Sequence, residues 1–227
     1  MDENITKNIL SKSCAIAIIG AKNSGKSFLL QYMIYEAMKN KIYKFGIVMC
    51  PTVKLNNSYN FLPQKYIYDD VDQFEKVFYN YVEMLCDKFA DKIPYNFIVL
   101  DDCIGIFNTQ SNLFKNFIST FRHSKITIFF TTQYPNALLT PTIKENIDYI
   151  ISFKSHIHAT NESLSQMTGF KNANEYRLFA ENYNNAKYSS LFYDVNEFND
   201  NKRFLKLKCP EYQITHKFKY RYIIYVC

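Results

Sequence analysis

Residues 15–34 read AIAIIGAKNSGKSFLLQYMI, and this stretch decides the fold. A short apolar run stops at Gly20, and a second apolar series opens at Phe28. The chain has 5 glycines in 227 residues, so two of them close together, the second followed by Lys-Ser, need a local reason. The run before Gly20 reads as a buried strand. After it, Phe28, Leu29, Tyr32, Met33, Tyr35 and Met38 recur at helical spacing. The segment between them therefore turns a strand into a helix, and it matches GxxxxGK[ST]. Glycine permits the dihedrals of that turn and the close approach of a phosphate chain. The helix N-terminus adds a favourable dipole. Lys26 is placed to reach the β- and γ-phosphates, and the Ser27 hydroxyl to bind Mg²⁺. The predicted ligands are ATP and Mg²⁺. The predicted nucleotide cradle is Gly20, Ala21, Lys22, Asn23, Ser24, Gly25, Lys26, Ser27 and Phe28.

A phosphate-binding loop of this kind needs an acidic partner on a nearby strand. NFIVLDDC (96–103) supplies it, with four apolar residues followed by two carboxylates at the strand's carboxyl end. Open α/β sheets place their ligands at that end. Asp101 is predicted to hold the metal shell, and Asp102 to orient or deprotonate the attacking water. ITIFFTTQ (126–133) is a further strand ending in polar residues. The order of elements is that of P-loop ATPases with an additional strand between the P-loop strand and the acidic strand. In that layout Gln133 lies beside the γ-phosphate, where its amide can donate to phosphate and accept from water. Among the four arginines, Arg122 stands just before this strand and is the candidate for a finger acting on a neighbouring subunit. A structural ion pair is its alternative role.

The rest of the chain alternates strand-like and helix-like segments. KFGIVMCPT (44–52) is a buried strand, 52–67 is irregular and polar, 70–90 is a long amphipathic helix, and 113–121 is a helix candidate. TIKENIDYIISFK (142–154) offers a short helix and a strand. Beyond Lys154 the patterning weakens, with helices near 160–168 and 172–182 and strands at 188–194 and 203–208. The Tyr-rich end (212–227) looks extended and suits a swapped or edge strand. The whole predicts α/β, with a mainly parallel central sheet flanked by helices in a RecA-like core. A single domain spans 1–227, with its core at about 14–154, and the remainder completes the sheet and subunit contacts.

Composition sets bounds on function. With 48% hydrophobic and 21% charged residues, the chain has the balance of a soluble globule. No apolar stretch is long enough to span a membrane, and the polar, acidic N-terminus is not a secretory leader. Six cysteines are scattered without a CxxC pair, as reduced buried thiols are. The net charge of +6, carried almost wholly by lysine, suits a polyanion partner.

With these residues in view, the chain resembles the viral genome-packaging ATPases of the FtsK–HerA superfamily, above all the poxvirus-type enzymes of large DNA viruses and virophages. The likeness rests on GAKNSGKS, KFGIVMCPT, FIVLDDC, FRHSKITIFFTTQ and NIDYIISFK, and covers about residues 14–154. It implies a ring of subunits, hexamer or pentamer, that hydrolyses ATP to drive double-stranded DNA into a preformed capsid. The implied partners are DNA, further copies of the chain, and capsid or portal-vertex proteins. The implied location is the host cytoplasm, in a viral factory, and the virion. DNA contact falls to loops facing the ring centre, residues 52–66 with Lys54 and Lys65 and 134–146 with Lys144, whose alternative role is that of ordinary solvated connections. Cellular relatives usually carry Asp-Glu where this chain has Asp101-Asp102. The shorter side chain asks the water to sit closer or the loop to shift. Alternative readings are a cellular HerA-like translocase or helicase, a P-loop nucleotide kinase, and a nucleotide-binding assembly protein without turnover.

Overall fold

Eight strands hydrogen-bond into one sheet in the order β3-β2-β4-β5-β1-β6-β7-β8. They are β1 (Ala15–Ile19), β2 (Gly46–Met49), β3 (Ile67–Tyr68), β4 (Asn96–Asp101), β5 (Ile126–Thr132), β6 (Tyr149–Phe153), β7 (Ser189–Asp194) and β8 (Phe204–Lys208). The computed structural model describes residues 8–89, 92–104 and 108–220. The first six strands pair in parallel, and β7 and β8 add antiparallel at one edge. Every residue of β1, β2, β4 and β5 is buried. A parallel sheet must be covered on both faces, so its strands read as continuous apolar runs rather than alternating ones.

Long helices α1 (Lys26–Lys39), α2 (Val71–Phe89), α3 (Asn112–Thr120), α4 (His158–Thr168) and α5 (Ala173–Glu181) supply most of that cover. In α2 the buried residues Phe74, Val77, Phe78, Tyr81 and Leu85 form one helical stripe. They share a core with Phe114 and Phe117 of α3, Leu164 of α4, Tyr176 of α5, and the sheet residues Ala15, Ala17, Ile47 and Ile98. On the opposite face, Leu29, Leu30, Met33 and Ile34 of α1 pack on Ile16, Ile18, Val48 and Val99. Each large aliphatic side chain so buried contributes about 1.5–3 kcal/mol before conformational entropy is counted.

One helix cannot cover a face eight strands wide, and the chain's end completes it. Residues 209–220 hold no strand or helix and cross α1. Tyr212 donates to the Phe28 carbonyl at 3.1 Å, the Thr215 amide to the Tyr35 hydroxyl at 3.3 Å, and the Phe218 amide to the Phe61 carbonyl at 2.7 Å. Tyr220 closes the strap by donating to the Gly46 carbonyl at 2.8 Å and stacking on Tyr66 at 4.7 Å. The expected edge or swapped strand is therefore corrected for residues 212–220, which strap their own chain; 221–227 lie outside the described residues. The other C-terminal elements fall within two residues of their expected bounds. Among the described residues no helix is long and apolar enough to cross a membrane.

Candidate nucleotide-binding and catalytic site

Strand order explains where the site forms. β5 lies between β1 and β4, so the strand inserted between the P-loop strand and the acidic strand is Ile126–Thr132. KFGIVMC, which precedes the acidic strand in sequence, sits outside it as β2. Three adjacent parallel strands thus end at the same edge, carrying the P-loop after β1, Gln133 after β5, and Asp101-Asp102 at the end of β4.

The segment Gly20–Ser27 leads from β1 into the first turn of α1. A Cβ on Gly20 would lie 2.6 Å from Ser24 Oγ and 2.8 Å from Phe153 Cβ, so only glycine fits. Gly25 has φ 107° and Asn23 φ 62°, left-handed values that curl the loop. Gly25 is also the N-cap of α1 and offers no side chain, so the helix's first amides have no side-chain acceptor. Uncapped amides at a helix N-terminus are donors for an anion. Ser24 Oγ is buried with no hydrogen-bond partner. An orphaned hydroxyl inside a glycine-lined cradle fits a phosphate oxygen as its missing partner.

Lys26 is buried, and its Nζ donates to the carbonyls of Gly20 at 2.8 Å and Ala21 at 3.0 Å. Burial holds its ammonium below the usual lysine value, and the charges of Asp102 and Asp101 oppose that fall. Lys22 and Asn23 are exposed at the loop's tip. A cleft of about 570 Å³ opens in front of Asn23–Phe28 and is bounded by Asn56, Ser58 and Tyr188. Phe28 is half-exposed beside it, its ring 6.0 Å from Tyr188 and 4.6 Å from Tyr212.

Asp101 is buried and bound by hydroxyls. Oδ1 accepts from Ser27 Oγ at 3.3 Å and from Thr131 Oγ1 in a shorter bond. Oδ2 accepts from the Tyr59 hydroxyl at 2.7 Å. Burial, then the charge of Asp101, pushes the Tyr59 phenol well above its usual value, so it stays a donor. Asp102 follows the strand in a left-handed conformation, φ 56°. Its amide donates to both the carbonyl, at 3.1 Å, and Oγ1, at 2.9 Å, of Thr131. This turn swings the Asp102 side chain out of the sheet to an exposed position, where Gln133 Nε2 donates to its Oδ2 at 2.6 Å.

The structure brings Lys26, Ser27, Asp101, Asp102 and Gln133 together, and leaves Arg122 out. Arg122 precedes β5 while Gln133 follows it, so the two lie at opposite ends of that strand. There Arg122 binds Asn146 Oδ1 and the Asn146 carbonyl at 3.0 and 2.9 Å, and Asp148 Oδ2 at 2.8 Å. Within its own chain Arg122 forms the ion pair of its alternative role, with Asp148. Arg177 pairs with Glu181, and Arg203 packs on Tyr193; Arg221 lies outside the described residues. Sequence reading missed Tyr59 and Tyr188 and saw Thr131 only as part of a polar strand end. Both tyrosines have left-handed φ values, 61° and 60°; Tyr59 lies in an aperiodic segment and Tyr188 at the first position of an expected strand, so nothing marks either as a site residue. The threonine's place beside the acidic strand is the one signal that sequence offered.

A glycine-lined strand-to-helix loop, a lysine, a metal-suited serine–aspartate pair and an inserted strand define a P-loop NTPase fold. The chain belongs to the Poxvirus A32 protein family, whose model matches residues 2–195. It is 23% identical over 210 residues to the uncharacterized protein L666 of Acanthamoeba polyphaga mimivirus, covering 87% of this chain and 80% of that one. Solved structures share the fold. The DNA-packaging ATPase B204 of Sulfolobus turreted icosahedral virus superposes with TM-score 0.66 at 17% identity, covering 88% of this chain and all of that chain (100%). The genome-packaging NTPase B204 of Sulfolobus turreted icosahedral virus 2, in complex with AMPPCP, gives 0.62 at 18%, covering 87% and 98%. The conjugation coupling protein TcpA of pCW3, with ATPγS, gives 0.64 at 16%, covering 88% of this chain and 60% of that one.

Proposed function

We propose that the chain is an ATP-driven motor that moves double-stranded viral DNA into a preformed capsid. The observation that carries the reading is the meeting of Lys26, Ser27, Asp101, Asp102 and Gln133 at the carboxyl ends of β1, β4 and β5. Family membership and the shared fold of the B204 packaging enzymes support the cargo.

The triphosphate lies across the amides of Gly20–Ser27. Lys26 leaves the carbonyls of Gly20 and Ala21 and turns to the phosphate oxygens. Ser24 Oγ gains its partner. Ser27 and Asp101 would hold Mg²⁺, which neutralises phosphate charge when bound. Asp102 accepts the proton of the water that attacks the γ-phosphorus, while the bond to the leaving ADP breaks. The Gln133 amide, tied to Asp102 at 2.6 Å, orients that water and reports the γ-phosphate to β5.

For DNA, the lysines divide. Lys54 pairs with Asp69 at 2.5 Å. Lys65 instead borders a cleft of about 540 Å³ together with Lys217 and Lys219 of the strap, which suits a phosphate backbone better. Lys144 is exposed. The motor acts in the host cytoplasm, in a viral factory, and travels in the virion.

The test is ATP hydrolysis by the assembled protein at low salt, with and without double-stranded DNA. Stimulation by DNA that disappears in Lys26→Ala and Asp102→Asn supports the motor. Hydrolysis indifferent to DNA sinks it.

A further inference from the structure

We propose that Tyr59 is a positioning residue for Asp101: its hydroxyl pins Oδ2, so that Oδ1 faces Ser27 and the divalent cation. This rests on the nucleotide-and-metal reading of the site. The three hydroxyls on Asp101 come from three separate elements and are not equivalent. Ser27 is the group a cation would draw away, and its bond to Oδ1 is the longest at 3.3 Å. Thr131 Oγ1 is also committed to the amide of Asp102, so it holds the turn after β4. Tyr59 alone of the three bonds Oδ2, at 2.7 Å, from a side chain with no exposure to solvent. A carboxylate held at one oxygen presents the other in a single direction. Partners of this sort behind a ligand commonly change metal affinity by about 10–100-fold when removed.

The backbone shows that this contact is built. Asn57 and Tyr59 both take left-handed conformations, φ 47° and 61°. For a bulky aromatic residue that is an outlier, and it persists only where surroundings over-determine it. Here the Tyr59 amide meets Gln31 Oε1 of α1 at 3.5 Å, and the Tyr59 carbonyl accepts from the Leu62 amide at 2.8 Å. Phe61 stands edge-on to Tyr35 of α1 at 5.6 Å, and the strap's Phe218 amide binds the Phe61 carbonyl. The turn is clamped between α1 and the strap, and the Tyr59 hydroxyl it sends into the core ends on Asp101.

The test is a Mg²⁺ titration of the assembled protein with a fluorescent, non-hydrolysable ATP analogue. Tyr59→Phe keeps the ring and removes the donor. It should raise the Mg²⁺ concentration for half-saturation about 10-fold, with binding of the analogue in EDTA unchanged. A folded Tyr59→Phe whose Mg²⁺ curve superposes on the wild type overturns the inference. A wild type that does not bind the analogue, or binds it without responding to Mg²⁺, fails the underlying reading and takes this inference with it. If Tyr59→Phe does not fold, the wild type decides the matter. With a ¹³C-labelled ring at Tyr59, the hydroxyl proton should give a slowly exchanging signal that survives addition of Mg²⁺ and the analogue. Its loss on adding Mg²⁺ overturns the proposal.

Discussion

Asp101 and Asp148 both sit at ends of the parallel strands, and both are held by several donors, yet the donors differ in kind. Asp148, just before β6, accepts from the Arg122 guanidinium at 2.8 Å and from the Ala15 amide at 2.8 Å, both on Oδ2, and from Asn196 on Oδ1. It ties the starts of β1, β5 and β6 together with its charge matched. Asp101, at the opposite edge, is held among the described residues by neutral donors, the hydroxyls of Ser27, Thr131 and Tyr59, with the Cys50 thiol beside them. A buried carboxylate without a bonded cation is costly, and a bound cation relieves that cost. The amino-terminal edge of the sheet has its carboxylate matched by a guanidinium, while the carboxylate at the carboxyl-terminal edge is met by neutral hydroxyls.

Lys26→Ala should have the largest effect. Removing the cation nearest the phosphates should lower kcat about 10³-fold, read as phosphate release. Activity near wild type would mean that this edge is not the working site. Asp102→Asn should cost about 10²-fold in kcat and leave nucleotide affinity within a factor of a few, because only the proton acceptor is lost. Gln133→Leu is expected to lower kcat about 10-fold with nucleotide binding kept, since the water loses its orienting amide but keeps its base. At the other edge, Arg122→Ala should leave kcat unchanged and lower stability by about 2 kcal/mol in urea denaturation, because Asp148 is left without its cation. If instead Arg122→Ala stops hydrolysis while stability holds, Arg122 acts on a neighbouring subunit and the contrast between the edges breaks.

The smallest effect concerns Cys50, whose thiol is raised to about 11 by burial and then by the charge of Asp101. A folded value above the ordinary 9.0 contributes stability that is complete below pH 9 and is lost as pH rises towards 11. Cys50→Ala should therefore flatten part of the fall in urea stability across that window. An unchanged slope would mean that neither burial nor Asp101 raises the thiol.

Much of the site could be read along the chain because its chemistry is local. Gly20, Gly25, Lys26 and Ser27 occupy one turn, and Asp101 and Asp102 end one apolar run. Arg122 was legible in principle. A seven-residue strand, at about 3.3 Å per residue, carries its two ends roughly 20 Å apart, so a residue before β5 cannot share an edge with Gln133 in the same chain. Tyr59 was not legible, since it reaches Asp101 across 42 positions through a left-handed backbone in a polar, aperiodic segment. The strap was misread for a related reason. Its alternating tyrosines and lysines suit a strand, but its partner is α1, with Tyr35 and Thr215 meeting across 180 positions.

The chain's residue order was enough to establish the alternation of strands and helices, the phosphate loop and the acidic strand end, because hydrophobic period and glycine dihedrals act over a few neighbouring residues. Packing settled the rest: which edge each polar residue joins, which aspartate pairs with a guanidinium, and what lies over α1. Those depend on strand order and on surfaces that must be covered, and both bring together residues that no local pattern connects.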